Sequence, residues 1–373
     1  DSLDATGAAQ GVTVDLGNGA NSVLGSAFDD QVTLGSGVDT LSLDGGSDTV
    51  IGTLSAGDTV DLGADDDSFT YQALGDAGMV VDGGAGSDTL VIAATSAPLT
   101  IDFSDASDNL AAESGSYRNF ENLDAAAATD ALTVTTSAAG GTVVTGSGDD
   151  QVTLGAAADE VATGAGDDTV VVDATTIAAS IDGGANTATG DTLLVTGGGQ
   201  VVMGASVAGM EHVSLASATD FTANATAGLA IAGSAGDDRI TVGAADQLVD
   251  GAGGDDVIVV TDALLGAALT VEGGSAASAD SLEISTDASV VDADLANVSG
   301  IERLVLTGNA NDDAQSVVLA GDAAAAGIAF VDADGMGADD ALELDASAFA
   351  NALQVASGDG DDVLALGAGG SVV

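Results

Sequence analysis

Three consecutive nonapeptides, GSGDDQVTL, GAAADEVAT and GAGDDTVVV, fill residues 146–172. They place Asp150, Asp159 and Asp168 nine residues apart, with an apolar residue two places after each, at Val152, Val161 and Val170. No other feature constrains the chain as strongly. A short strict period drives every copy toward one backbone conformation and makes each copy the packing partner of the next. The same ruler fits Asp30, Asp39, Asp48, Asp58 and Asp67, spaced 9, 9, 10 and 9, with Val32, Leu41, Val50, Val60 and Phe69 following. It fits again at Asp238, Asp246 and Asp255, followed by Ile240, Leu248 and Val257. Single copies supply Asp88 in GGAGSDTLV, Asp191 in GDTLL and Asp362 in GDGDDVLAL.

Physical chemistry gives this pattern a shape. Glycine permits the positive φ and the close backbone approach of tight turns. The apolar position two after each Asp is expected to point inward. With two nonapeptides to a coil, residues nine apart fall on alternate edges. Asp30 and Asp48 therefore share an edge, as do Asp150 and Asp168. Stacked carboxylates are costly: two of them about 5 Å apart repel by roughly 1 kcal/mol in water and more near a protein surface. Folded domains are stable by only about 5–15 kcal/mol. The chain holds 52 Asp and 8 Glu against three bases, Arg118, Arg239 and Arg303, for a net charge of -57. Asn or Ser would serve a turn without that charge. Asp at every turn points to a hard cation with oxygen ligands. A hydrophobic content of 46% and a mean hydropathy of +0.36 argue against a disordered acidic tail.

With these residues in register, the sequence resembles the RTX (repeats-in-toxin) family, whose nonapeptide is G-G-x-G-x-D-x-U-x with U apolar. The resemblance implies an all-β fold, a right-handed parallel β-solenoid with Gly/Asp-rich turns. It also implies multiple Ca2+ ions between successive turns, held by Asp carboxylates and backbone carbonyls. The positions matching the motif's Asp are Asp30, Asp39, Asp48, Asp58, Asp67, Asp88, Asp150, Asp159, Asp168, Asp191, Asp238, Asp246, Asp255 and Asp362. Departures occur: Ala replaces Gly around Asp159 and Asp246, and Ser371 stands where the Asp after Asp362 would fall. The Ala/Val/Thr-rich stretches 132–144 and 193–202 are expected to be further coils without metal.

A longer period overlies the first. YRNFENLDA, GMEHVSLAS and GIERLVLTG carry Glu121, Glu211 and Glu302, 90 and 91 residues apart. Each follows a GG-acid segment and precedes a new run of nonapeptides. Modules are expected at 25–145, 146–232 and 233–357, with 1–24 ending a preceding module and 358–373 starting another. Together they would form one continuous solenoid, a slice of a longer array. The recurring glutamate is expected to cap a strand on a solvated face, with a metal or an arginine as the other partners considered.

Function classes narrow accordingly. There is no Cys, no Lys, no Trp and a single histidine, His212. No nucleophile elbow is evident. Paired carboxylates recur at every coil, as structural sites do and active sites do not, so the chain is expected not to be an enzyme. The sign of the charge excludes a nucleic-acid footprint, and no apolar run is long enough to span a bilayer. The expectation is an extracellular, cell-surface structural protein of a bacterial surface layer or filament. Its partners would be further copies of itself, with cell-surface polysaccharide a second candidate. The alternatives are an extender or binding segment of a giant RTX adhesin and the calcium-binding tail of a secreted enzyme or toxin. A halophilic protein would also be acidic and lysine-poor, but that leaves the nine-residue spacing unexplained.

Overall fold

The computed structural model describes residues 1–373 except 72–77, 96, 111–114, 267, 276–278, 287–288, 308–313 and 338–339. Short strands of β-branched residues alternate with Gly/Asp turns. Most strands pair in parallel with the strand two places along the chain, as Gln31–Leu34 does with Thr49–Gly52 and Thr40–Ser42 does with Thr59–Asp61, and the rest with the strand three places along. That pairing makes an all-β, right-handed parallel solenoid. The chain forms two compact units, Asp1–Thr192 with Ser206–Met210, and Leu193–Ala205 with Glu211–Val373.

The first unit opens with two sheets. One has six strands, from Ser2–Asp4 to Ser116–Arg118, and the other ten, from Thr13–Asp15 to Val207–Ala208. Between Thr89–Ile92 and Asn122–Asp124, neighbours in the ten-stranded sheet, the chain makes one wide coil. That coil contains Leu99–Asp102, the first strand of a third sheet, and Ser116–Arg118, the last strand of the six-stranded one. The coil is therefore a joint at which one sheet ends and another begins. The edge exposed there is closed locally. Buried Asn109 donates its N–H to Tyr117 O, and its side-chain oxygen accepts the Phe120 N–H. Such cover is what an unpaired strand edge needs.

The second unit repeats the device. Between Ser281–Ile284 and Arg303–Leu306 of its eight-stranded sheet, a wide coil starts a four-stranded sheet at Ser289–Val290. The same coil ends another sheet at Val298–Ser299. Here the cover is the short helix Gly321–Ala326, whose Ala326 O accepts the Ile301 N–H. The Asp292 carboxylate accepts the N–H groups of Ala320, Asp322 and Ala323 at the start of that helix. Among the described residues no helix is long and apolar enough to cross a membrane.

Inward residues follow the +2 rule along most of the chain. Val32, Leu41, Val50, Val152, Val161, Val170 and Ile240 are buried, and Phe69 packs against Tyr117 with ring centroids 6.2 Å apart. Turn glycines lie where stacked coils almost touch. Gly84 has φ 100°, and a Cβ there would collide with the Gly63 carbonyl of the coil before.

Two inward assignments fail. Leu248 is 48% exposed and Val257 only half-buried, while Val249 and Ile258 fill the core. In paired acids it is the second that faces inward, so the reference position is Asp256 rather than Asp255, and Gln247 rather than Asp246. The apolar residue two beyond that position is the buried one. Val249→Ala is accordingly expected to cost about 2 kcal/mol. Leu248→Ala should stay within about 0.5 kcal/mol of the parent. Thermal denaturation of both variants and the parent in one buffer checks this, and the reverse ranking would restore the nine-residue register.

Candidate cation-binding columns

The turn acids stack into columns, and their hydrogen bonds run in one sense. In the first unit the backbone N–H groups of Val12, Asp30, Asp48 and Asp67 donate to Oδ1 of Asp30, Asp48, Asp67 and Asp88 at 2.7, 2.7, 2.7 and 2.8 Å. Each carboxylate thus accepts the amide of its counterpart one coil earlier. A second column joins Asn21, Asp39 and Asp58 at 2.9 and 2.7 Å. A third joins Leu132, Asp150, Asp168 and Asp191 at 2.7, 2.7 and 2.8 Å. In the second unit Thr219, Asp238, Asp256 and Asp280 repeat the pattern at 2.7, 2.8 and 2.9 Å.

The outer member of each acid pair braces the opposite neighbour. Asp29 Oδ1 accepts the Ser47 N–H, Asp149 the Asp167 N–H, and Asp237 the Asp255 N–H, each one coil later. An Asp-Asp pair therefore clamps both adjacent coils. This second set of bonds escaped the sequence reading, although the doublets that signal it are plain.

Ten of the fourteen candidate ligands are buried in columns as described. Asp159 is buried singly, accepting Thr136 Oγ1 and the Ala156 N–H. Asp362 is half-buried and accepts the Leu342 N–H at 2.9 Å. Asp246 and Asp255 stand exposed beside the inward positions. Gln247 fills the first of these, its amide spanning Gly243 N, Asn224 O and Thr226 O. Asp256 fills the second, and Asp280 joins its column. Both were missed, Asp256 by one residue in a doublet and Asp280 because its coil is longer than eighteen residues.

Burial dominates the electrostatics. It pushes Asp48 and Asp67 up to about 7, with backbone N–H bonds opposing and neighbouring carboxylates adding to the shift. Asp88, Asp168 and Asp256 rise to about 6 for the same first cause. Asp58, Asp150 and Asp280 are also raised by burial. The three arginines are engaged elsewhere: Arg118 pairs with Asp82, Arg303 with Asp332, and Arg239 forks onto Glu283 with two contacts of 2.8 Å.

The second carboxylate oxygen tests whether a cation suits these columns. Oδ2 of Asp39, Asp48, Asp67, Asp88 and Asp256 is buried and accepts no hydrogen bond. Where a turn glycine adjoins, that oxygen faces a backbone carbonyl of the following coil. A Cβ on Gly251 would lie 2.6 Å from Asp256 Oδ2 and against Gly273 O; on Gly83 it would lie 2.9 Å from Asp88 Oδ2 and against Asn119 O. Two acceptors face each other with no donor between, an arrangement that a cation or a proton relieves. The donor set is oxygen only and anionic, which fits Ca2+. Among the described residues no three acidic or histidine side chains converge on one point, so any ion held here would have to draw on carbonyls as well. No protein-family model matches the chain, and no curated protein is similar to it in sequence.

Proposed function

We propose that the chain is a calcium-stabilised structural solenoid of the RTX type, part of an extracellular surface layer or filament on a bacterial cell, and that it performs no catalysis. One observation carries the reading: Oδ2 of Asp39, Asp48, Asp67, Asp88 and Asp256 is buried without a donor, and at Asp88 and Asp256 a carbonyl of the next coil lies beside it. Calcium would supply the missing positive charge there. The chain's own residues do the rest. Asp48, Asp67, Asp88 and Asp256 hold the coil spacing through Oδ1 and offer Oδ2 to an ion, and at Asp88 and Asp256 the adjoining Gly83 and Gly251 leave room for it. A site repeated along the chain suits a bulk material. The exposed carboxylates give adjacent copies of the chain faces that divalent ions can bridge.

Purified full-length chain in millimolar calcium is expected to bind several ions and to form sheets or filaments visible by negative-stain microscopy. In chelator these should disperse. A particle of the same size in both conditions, with less than one bound ion by elemental analysis, refutes the proposal.

A further inference from the structure

Two of the columns stop at glutamates. In the first unit the Asp88 N–H donates to Glu121 Oε2 at 2.9 Å, and in the second the Asp280 N–H donates to Glu302 Oε2 at 3.0 Å. Each glutamate stands where the next aspartate of its column would stand, beside the joint coil that exchanges one sheet for another. Its own amide then breaks the rule. Elsewhere in a column the amide donates forward to a carboxylate of the following coil. The Glu121 N–H instead turns back to Asp88 O, a carbonyl it shares with Asn122 N–H. Glu302 and Arg303 share Asp280 O in the same way. Neither glutamate asks for a carboxylate from the coil that follows, and none is supplied. In the first unit the Thr142 N–H of the next coil donates to Asn122 Oδ1, beside the glutamate. In the second, Ala329 and Phe330 both donate to Glu302 O.

We propose that Glu121 and Glu302 are stops: each satisfies the last amide of an aspartate column and ends the demand for another acid, so that the column opens, closes and takes up cations as one block. The extra methylene of Glu matters because the backbone at the stop is turned toward the preceding coil, and an Asp carboxylate falls short of the amide it must meet. The statement about cation uptake rests on the calcium reading above; the statement about amides does not.

The test is residue-resolved hydrogen exchange on the full calcium-loaded chain, compared among the parent, Glu121→Ala, Glu121→Asp and Glu121→Gln. A lost charge-assisted bond predicts that the Asp88 amide exchanges on the order of 10-fold to 100-fold faster in the Ala variant. Smaller accelerations should appear in Ser68–Tyr71 and none in Thr142–Val144 or Glu160–Ala162, beyond the stop. Gln, whose carbonyl oxygen accepts the same bond, should restore slow exchange, and Asp should not. If the Ala variant does not fold, the Asp and Gln pair carries the comparison. An Asp variant as slow as the parent, or equal acceleration on both sides of residue 121, overturns the proposal. Calcium counted on the same samples separates the two readings, since an absence of bound ion with the amide pattern intact removes the calcium reading alone.

Discussion

In chelator at neutral pH the chain is expected to lose most of its β-structure, and acid is expected to restore it. The argument starts from the buried aspartates. Asp48 and Asp67 are pushed up to about 7, and Asp88, Asp168 and Asp256 to about 6, first by burial. Unfolded, these groups return to the ordinary value of 3.8. Between about pH 4 and pH 7 the folded chain thus binds more protons than the unfolded one, so stability falls as pH rises. The contribution is fully present below about pH 4 and is lost as pH climbs through the folded values. Above that window the folded metal-free chain holds ionised, buried carboxylates. The three arginines are spent on other acids. Circular dichroism of dialysed, metal-free chain should show a cooperative gain of β-structure on acidification from about pH 7.5 to about pH 5. Calcium at neutral pH should produce the same spectrum and flatten the pH dependence. Sodium chloride at matched ionic strength should not substitute, because screening acts weakly on buried groups. Equal β-content with and without chelator at neutral pH would contradict the expectation. A response to sodium chloride alone would favour a halophilic protein.

Replacing Asp48, Asp67 and Asp88 together by Asn should uncouple the first column from calcium. Asn keeps an oxygen for the amides of Asp30, Asp48 and Asp67, and its NH2 group puts a neutral donor where a buried carboxylate oxygen now has no partner. The charge is gone. The metal-free variant should hold the strands of this column at neutral pH, where the parent does not, and should bind fewer calcium ions. The matching Ala variant removes the acceptors as well. Each amide left without a partner costs about 1–3 kcal/mol, so it should be the least stable of the three with or without calcium. Hydrogen exchange of the first unit with parallel calcium counting reads both effects. If Asn and Ala behave alike, the columns are not held by their amide bonds. If the Asn variant binds as much calcium as the parent, Asp48, Asp67 and Asp88 are not ligands.

The nine-residue spacing made much of this legible. It implied alternate edges, and the amide of Asp30 does meet Asp48, eighteen residues on. It implied the inward side chains along most of the chain, but not at Asp246, where Gln247 takes the inward place and Val249 fills the core. It failed at Asp255 because a doublet offers two phases, and a slip of one residue turns a strand's side chains over. The glutamates near every ninetieth position were visible as a pattern, but their role was not. A strand cap on a solvated face was expected, whereas Glu121 and Glu302 are half-buried and bound to a column amide. That role depends on where the backbone N–H points, which no side-chain pattern encodes. The joint coils were equally hidden. Leu99–Asp102 and Ser116–Arg118 carry no motif, and only their partners in space reveal that one begins a sheet and the other ends one.

Those joints bear on how the solenoid would respond to a pull along its axis. In the first unit, the level at which the six-stranded sheet stops is crossed without interruption by the ten-stranded sheet, through the pairing of Thr89–Ile92 with Asn122–Asp124. In the second, the eight-stranded sheet crosses its joint in the same way, through Ser281–Ile284 and Arg303–Leu306. Within each unit, one sheet runs on at the level where another ends, as fibres overlap in spun yarn. A tear along either joint must rupture a whole parallel strand pair together with the glutamate bond beside it. The place where the fold changes hands is thereby spliced, and it is not a built-in line of fracture.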